Sequence, residues 1–179
     1  MVFVTLGSQK FQFNRLLKAV DDLVASGVIK DEVFAQVGES DYKPLHYKYS
    51  KFIERDEFCS LMNRSKIVIT HAGTGAIITA VKAGKKVIAV PRLAKYGEYV
   101  DDHQLQILRQ FDESQHLICA CYDISKLGDI YSHIGNMEFS EYQSNTDRII
   151  DAISGFITRD YSDGYSGKKH GKLSNISIL

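Results

Sequence analysis

The segment Lys66-Ile67-Val68-Ile69-Thr70-His71-Ala72-Gly73-Thr74-Gly75-Ala76-Ile77-Ile78 decides the fold class. Ile67 to Thr70 is a short β-branched run, the pattern of a buried strand. His71 to Gly75 forms a glycine loop, and Ala76 to Ala83 reads as a helix closed by Gly84. A strand, a glycine loop and a helix in that order are the repeating unit of an α/β sheet.

The same alternation extends to both sides. Upstream, Val2 to Leu6 is an apolar strand ended by Gly7. Asn14 is placed to cap a helix whose stripe is Phe13, Leu16, Leu17, Val20, Leu23 and Val24, with Ser26-Gly27 as its stop. Glu32 to Val37 reads as a second strand, residues 39–50 as a polar, tyrosine-rich loop, and Lys51 to Ile53 as a short strand. Asp56 is placed to cap a helix bearing Phe58, Leu61 and Met62. Downstream, Lys86 to Val90 is a strand ended by Pro91, and Arg92 to Tyr99 is a polar loop. Asp101 or Asp102 starts a helix with Leu105, Leu108 and Phe111; His116 to Cys121 reads as a strand, and helices are expected near 124–132 and 141–157. The expectation is an α/β domain over residues 1–157, with a mostly parallel sheet covered by helices on both faces. Residues 158–179 hold four serines, three glycines and three lysines, which reads as a mobile tail.

Composition narrows the function classes. The 179 residues carry 22 basic and 22 acidic side chains, so the basic excess of a nucleic-acid-coating protein is absent. No run of about 18 apolar residues appears, which excludes a transmembrane helix on the sequence pattern. The start lacks a basic, signal-like region, so a cytoplasmic location is expected. Cys59, Cys119 and Cys121 are too few and too irregular for a disulfide framework. Cys119 and Cys121, two apart, are expected on one face of a strand as buried thiols.

Ligands of open α/β sheets bind at the carboxyl ends of the strands. Three loops leave such ends: Gly7-Ser8-Gln9-Lys10, His71 to Gly75, and Arg92 to His103. Glycine permits close backbone approach, and a helix start presents free N–H groups with a partial positive charge. Together these suit a phosphate or diphosphate, with the Thr74 hydroxyl as a further donor. Local features equally fit a tight strand-to-helix turn, and His71 fits either a structural or a catalytic part. Asp101-Asp102-His103-Gln104 reads as helix capping or as a polar site. Neither the full GxGxxG fingerprint nor a Gly-Lys-Ser/Thr P-loop is present. No Asp-x-Asp pair occurs, so no metal site is assigned. No G-x-S-x-G elbow occurs, which argues against a serine hydrolase.

Three segments, taken together, resemble the C-terminal, donor-binding half of glycosyltransferase family twenty-eight. They are Val2-Phe3-Val4-Thr5-Leu6-Gly7-Ser8-Gln9-Lys10-Phe11 with Phe13 and Arg15-Leu16-Leu17, then Thr70 to Gly75, then Val87 to Arg92 with Asp101-Asp102-His103-Gln104-Leu105. The resemblance covers roughly residues 1–155. Within the family it runs to stand-alone half-enzymes of bacterial exopolysaccharide and capsule synthesis, which are similar to the catalytic subunit of the eukaryotic dolichol-linked UDP-N-acetylglucosamine transferase. It implies a Rossmann-like half of a GT-B fold that binds a UDP-sugar without metal or other cofactor, either as the catalytic, donor-binding subunit of an inverting hexosyltransferase or as a non-catalytic, nucleotide-sugar-binding subunit that stimulates a partner transferase. Carried onto this chain, Gly73, Thr74 and Gly75, with Ala72, would hold the diphosphate. His103 and Gln104, with Asp102 and Arg92, would face the donor sugar and phosphates. Gly7, Ser8 and Gln9 would line the cleft, and His71 is a candidate catalytic base. Related enzymes place a glutamate for the ribose where Thr79 stands here.

The resemblance further implies a lipid-linked saccharide acceptor and a separate, membrane-anchored, acceptor-binding partner, because no second α/β domain fits in this length. Recruitment to the inner face of the membrane would go through that partner, with residues 158–179 as a candidate dock.

Overall fold

A computed structural model of the chain describes residues 1–163, with side chains through residue 157. Six strands alternate with helices: β1 (Val2–Thr5), α1 (Asn14–Ala25), β2 (Val33–Gln36), β3 (Lys48–Ser50), α2 (Arg55–Arg64), β4 (Ile67–His71), α3 (Thr74–Lys82), β5 (Lys86–Val90), α4 (His103–Arg109), β6 (Cys119–Ala120), α5 (Leu127–Ile134) and α6 (Thr146–Asp163). All five strand pairings are parallel, and the order is β3-β2-β1-β4-β5-β6. This is the Rossmann-like arrangement, with its topological switch point between β1 and β4.

The pleat explains how one sheet serves two cores. Val2, Val4, Ile69, Ile88 and Val90 face a cluster completed by Leu16, Leu17 and Val20 of α1 and by Leu127 and Ile134 of α5. Phe3, Val68, Val87 and Ala89 face the opposite cluster, completed by Leu61 and Met62 of α2, Ile77 and Ala80 of α3, and Leu108 of α4. Neighbouring residues thus point to opposite layers, as the two-residue period requires. Cys119 and Cys121 both pack against the first cluster, as their spacing predicts, while Cys59 is exposed. Burial pushes the Cys121 thiol up to about 12, so it behaves as a small apolar side chain.

Several boundaries move. The third strand is Lys48–Ser50 rather than Lys51 to Ile53. It is an edge strand with Lys48 and Tyr49 exposed, so no buried alternation marks it in sequence. Asn14 opens α1 without capping it; its Oδ1 instead accepts from the backbone N–H groups of Asp41 and Tyr42, both at 3.0 Å. Asp56 lies inside α2, whose N-cap is Glu54. The strand expected over His116 to Cys121 contracts to Cys119–Ala120; His116 takes a left-handed φ of 56° and Ile118 bends, so the extended run starts only at Cys119. The helix expected near 124–132 becomes a 3-10 turn at Ile124–Lys126 followed by α5, and the last helix shifts to Thr146–Asp163.

The first compact unit is Met1–Tyr142, and a second begins at Gln143. The boundary expected at 157/158 falls inside α6. Residues 164–179, most of the expected tail, lie outside the described residues. No helix among the described residues is long and apolar enough to cross a membrane.

Asp21 shows how the irregular segment before β3 is pinned. The carboxylate is 2% exposed and accepts from the Tyr42 hydroxyl at 2.8 Å and from the backbone N–H groups of Leu45 and His46, both at 2.9 Å. Burial alone raises its pKa, but these donors win and hold it below the ordinary value of 3.8. Asp21→Ala strands three donors at once. A loss of about 2–4 kcal/mol in a urea melt is expected, with residues 41–47 released first in amide exchange.

Candidate functional site

A parallel sheet brings every strand's carboxyl end to one edge. The turn after β1, the turn after β4 and the long connection after β5 therefore meet around the switch point, as the sequence reading requires. Two further turns share this edge and were not singled out: residues 37–40 after β2 and 51–54 after β3. They are tied together by Gly38 N–H donating to Lys51 O at 2.9 Å. The misplaced third strand hid the second of them; the first follows the expected end of β2. Two hollows, of about 330 Å³ beside Leu23 and Gly128 and about 490 Å³ beside Lys86 and Phe139, lie away from this edge.

His71, the last residue of β4, organises the switch point. Its ring fills the volume that two glycines leave open. A Cβ on Gly7 would come within 2.8 Å of His71 Cε1, and one on Gly73 would overlap Nε2. Gly7 also needs glycine for its φ of 72°. Gly73, with φ −86° and ψ 125°, has a backbone that any residue can adopt. Its glycine is required by volume alone. Thr70 Oγ1 donates to Thr5 O at 2.8 Å and lies 3.4 Å from His71 Nδ1, joining β4 to β1 beneath the ring. Burial first, then the neighbouring Arg92 charge, pull the His71 pKa down from 6.5 to about 4. The imidazole is neutral at physiological pH and a weak proton acceptor.

Helix α3 begins at Thr74 rather than Ala76, so Thr74 and Gly75 form its first turn instead of the preceding loop. Ile77 N–H is bonded to Gly73 O at 3.1 Å. The N–H groups of Thr74, Gly75 and Ala76 have no partner among the described residues. Thr74 and Gly75 are exposed, and nothing lies within 4 Å of a Cβ built on Gly75. Ala72 is fully buried, backbone included, so it supports the turn from the core and offers no surface to a ligand. Thr79 is exposed one turn further on, but its hydroxyl proton is spent on Gly75 O at 2.7 Å.

The connection after β5 is built around buried charge. Arg92 is 1% exposed; its Nη2 donates to Leu6 O at 2.8 Å and to Phe11 O at 3.3 Å. Gln104 turns inward, its side-chain oxygen accepting from Arg92 N–H at 2.9 Å. Glu98, also 1% exposed, takes a bidentate fork from Arg15 at 2.9 and 2.8 Å. Asp102 Oδ1 accepts from Ala94 N–H at 2.9 Å, while Asp101 Oδ1 accepts from His103 N–H at 3.0 Å. Asp101 therefore satisfies the start of α4, and Asp102 secures the loop. His103 is exposed, with Nδ1 3.2 Å from Gln106 Oε1. Of the anticipated site residues, Ser8, Gln9, Thr74, Gly75, Thr79, Asp102 and His103 offer exposed side chains or backbone, whereas Arg92 and Gln104 act from below the surface.

Residues 1–127 match the glycosyltransferase family 28 C-terminal domain. The chain belongs to this family. The match contains all three glycine-loop and charge segments and ends within the first compact unit. The chain is 27% identical over 120 residues to the UDP-N-acetylglucosamine transferase subunit ALG13 of Candida albicans, covering 67% of this chain and 37% of that protein. It is 32% identical over 63 residues to the subunit of the same name from Yarrowia lipolytica, covering 35% of this chain and 30% of that one. The chain thus spans about a third of the curated relatives it matches. Among solved structures it is similar to the glycotransferase of kitacinnamycin, with TM-score 0.52 and 13% identity over 75% of this chain and 34% of the other. It is similar to MurG of Acinetobacter baumannii, with TM-score 0.50 and 16% identity over 74% of this chain and 40% of the other. These likenesses establish the GT-B-type fold of this family 28 half. Among the described residues, no three His, Cys, Asp or Glu side chains group as a metal site.

Proposed function

We propose that this family 28 domain is the donor-binding, catalytic subunit of a two-component inverting glycosyltransferase. It moves a hexose from a UDP-sugar to an undecaprenyl-diphosphate-linked saccharide in exopolysaccharide or capsule synthesis. The observation that carries the reading is the start of α3 at the switch point. Three unpartnered N–H groups and an open Gly75 stand where a helix dipole favours negative charge. Backbone donors of this kind stabilise a departing UDP diphosphate, the part a divalent metal plays in other transferases. The relatives named as UDP-N-acetylglucosamine transferase subunits support both the donor class and the need for a partner.

Each residue then has a part. Thr74, Gly75 and Ala76 bind the diphosphate through their N–H groups. Gly7 and Ser8 wall the cleft from β1, and His103 faces the donor from α4. His71, neutral and enclosed by two glycines, shapes the turn rather than abstracting a proton. The base that activates the acceptor hydroxyl therefore comes from the acceptor side. A membrane-anchored partner supplies that side and brings the chain to the lipid, a reading supported by relatives named as subunits of a transferase, and transfer needs donor and acceptor in near-attack geometry.

Calorimetry with UDP in EDTA tests the donor reading, and binding in the micromolar to millimolar range is expected without metal. Strictly metal-dependent binding, or preference for NAD, would sink it. In the same preparation the chain alone should transfer little sugar to lipid-linked acceptor, and adding the partner should restore transfer. Full activity of the isolated chain refutes the two-component assignment.

A further inference from the structure

Arg92 carries more charge than its surroundings use. The guanidinium is buried at the carboxyl edge of the sheet, yet Nε and Nη1 have no hydrogen-bond partner among the described residues. A buried cation without full pairing is costly, so its retention calls for a compensating anion or a structural duty. Glu98 is the acidic side chain within its electrostatic reach, and both oxygens of Glu98 are already engaged by Arg15. Phe13 lies against both cations, 5.3 Å from each guanidinium carbon. Two arginines therefore share one carboxylate, and the cluster keeps one unbalanced positive charge. Its position is informative. Nη2 holds the carbonyls of Leu6 and Phe11, which flank the turn through Gly7. A Cβ on Gly7 would come within 2.8 Å of the His71 ring, so the turn that Arg92 holds is the one packed against the end of β4.

We propose that Arg92 is the positioning cation of the donor site. From beneath the glycine turns it clamps the two feet of the β1 loop and lends its unshared charge to a ligand diphosphate lying over Gly7 and the start of α3. This rests on the UDP-donor reading and adds to it how the anion is attracted without a metal. Arg92 does not touch the ligand, because its free nitrogens are covered by protein. It acts through its field, which is weakly screened at a buried site, and through the loop it holds. The field distinguishes a diphosphate from a neutral nucleoside, whereas a purely structural arginine affects both alike.

The test compares UDP with uridine on the purified chain. Arg92→Met replaces the guanidinium by an apolar side chain of similar reach. UDP affinity should fall about 30-fold further than uridine affinity, the order expected for a unit charge acting across several ångströms at an effective dielectric of ~20, because loss of the β1 clamp falls on both ligands alike. Arg92→Lys keeps the charge but not the fork, and should retain most of the UDP-over-uridine preference. Equal UDP binding by the wild type and R92M overturns the inference alone. So does a parallel loss of UDP and uridine binding, which marks a structural arginine. If R92M does not fold, the lysine variant decides: loss of the UDP preference in R92K overturns the charge assignment. A wild-type chain that binds no UDP overturns the donor reading, and the role of Arg92 with it.

Discussion

Gly73→Ala is expected to abolish UDP binding, and Gly75→Ala to weaken it strongly without harming the fold. The two glycines stand two residues apart but answer to different forces. A methyl group on Gly73 overlaps the His71 ring, so either the imidazole leaves its slot or the turn into α3 rearranges. Overpacking of this kind costs about 1–3 kcal/mol. It also displaces the N–H groups that the ligand needs. Gly75 has nothing within 4 Å of a built Cβ and sits in the first turn of α3. Alanine there leaves stability unchanged or raises it by up to ~1 kcal/mol through helix propensity. Its methyl stands where the diphosphate must approach, and losing charge-assisted hydrogen bonds worth about 1.5–3 kcal/mol lowers affinity roughly 10- to 100-fold. Calorimetry with UDP beside thermal melts separates the two cases. A double variant, Gly73→Ala with His71→Ala, should recover part of the stability lost by Gly73→Ala alone, because the clash disappears. Normal UDP binding by Gly75→Ala reduces the turn to a structural corner.

Acid lability is the second large effect. His71 is held near 4 in the folded chain against 6.5 when exposed, by burial first and then by the Arg92 charge, with a backbone hydrogen bond at Thr5 acting the other way. Between these values the unfolded chain binds the proton and the folded chain does not. Stability therefore falls as pH drops from about 6.5 toward about 4, and the full contribution is present above 6.5. A shift of this size corresponds to about 3 kcal/mol. Urea melts at pH 7, 5.5 and 4.5 measure the slope. His71→Asn, which does not titrate there, should flatten it. Asp21 adds acid sensitivity at lower pH, because its carboxyl is held below 3.8 when folded. An unchanged slope in His71→Asn would show that the imidazole is solvated.

The alternation of apolar runs with glycine and helical stripes was enough to predict a parallel α/β sheet, since strands buried on both faces must be nearly continuous in apolar residues. The central strands β1, β4 and β5 were legible for that reason. Edge strand β3 was not, because Lys48 and Tyr49 face solvent and leave no periodic trace. The cap at Asn14 was misread for a related cause, while of the two candidates before α4 it is Asp101 that serves the helix start. A short polar side chain beside a helix start has several backbone donors in reach. Asn14 chose the 41–42 turn and Asp102 chose Ala94, both distant in sequence.

The candidate site divides along the same line. Local sequence determined that glycine turns would leave β1 and β4 and that a helix would follow the second at once, because glycine placement and helix-start chemistry are short-range properties. Only the tertiary structure decided what those turns pack against. His71 occupies the space that Gly7 and Gly73 vacate, and Arg92 and Gln104, which read as ligand contacts, turn inward to hold β1 and β5. These choices follow from the volume and buried charge that side chains from separate strands share, and neither quantity is a property of any one segment of the chain.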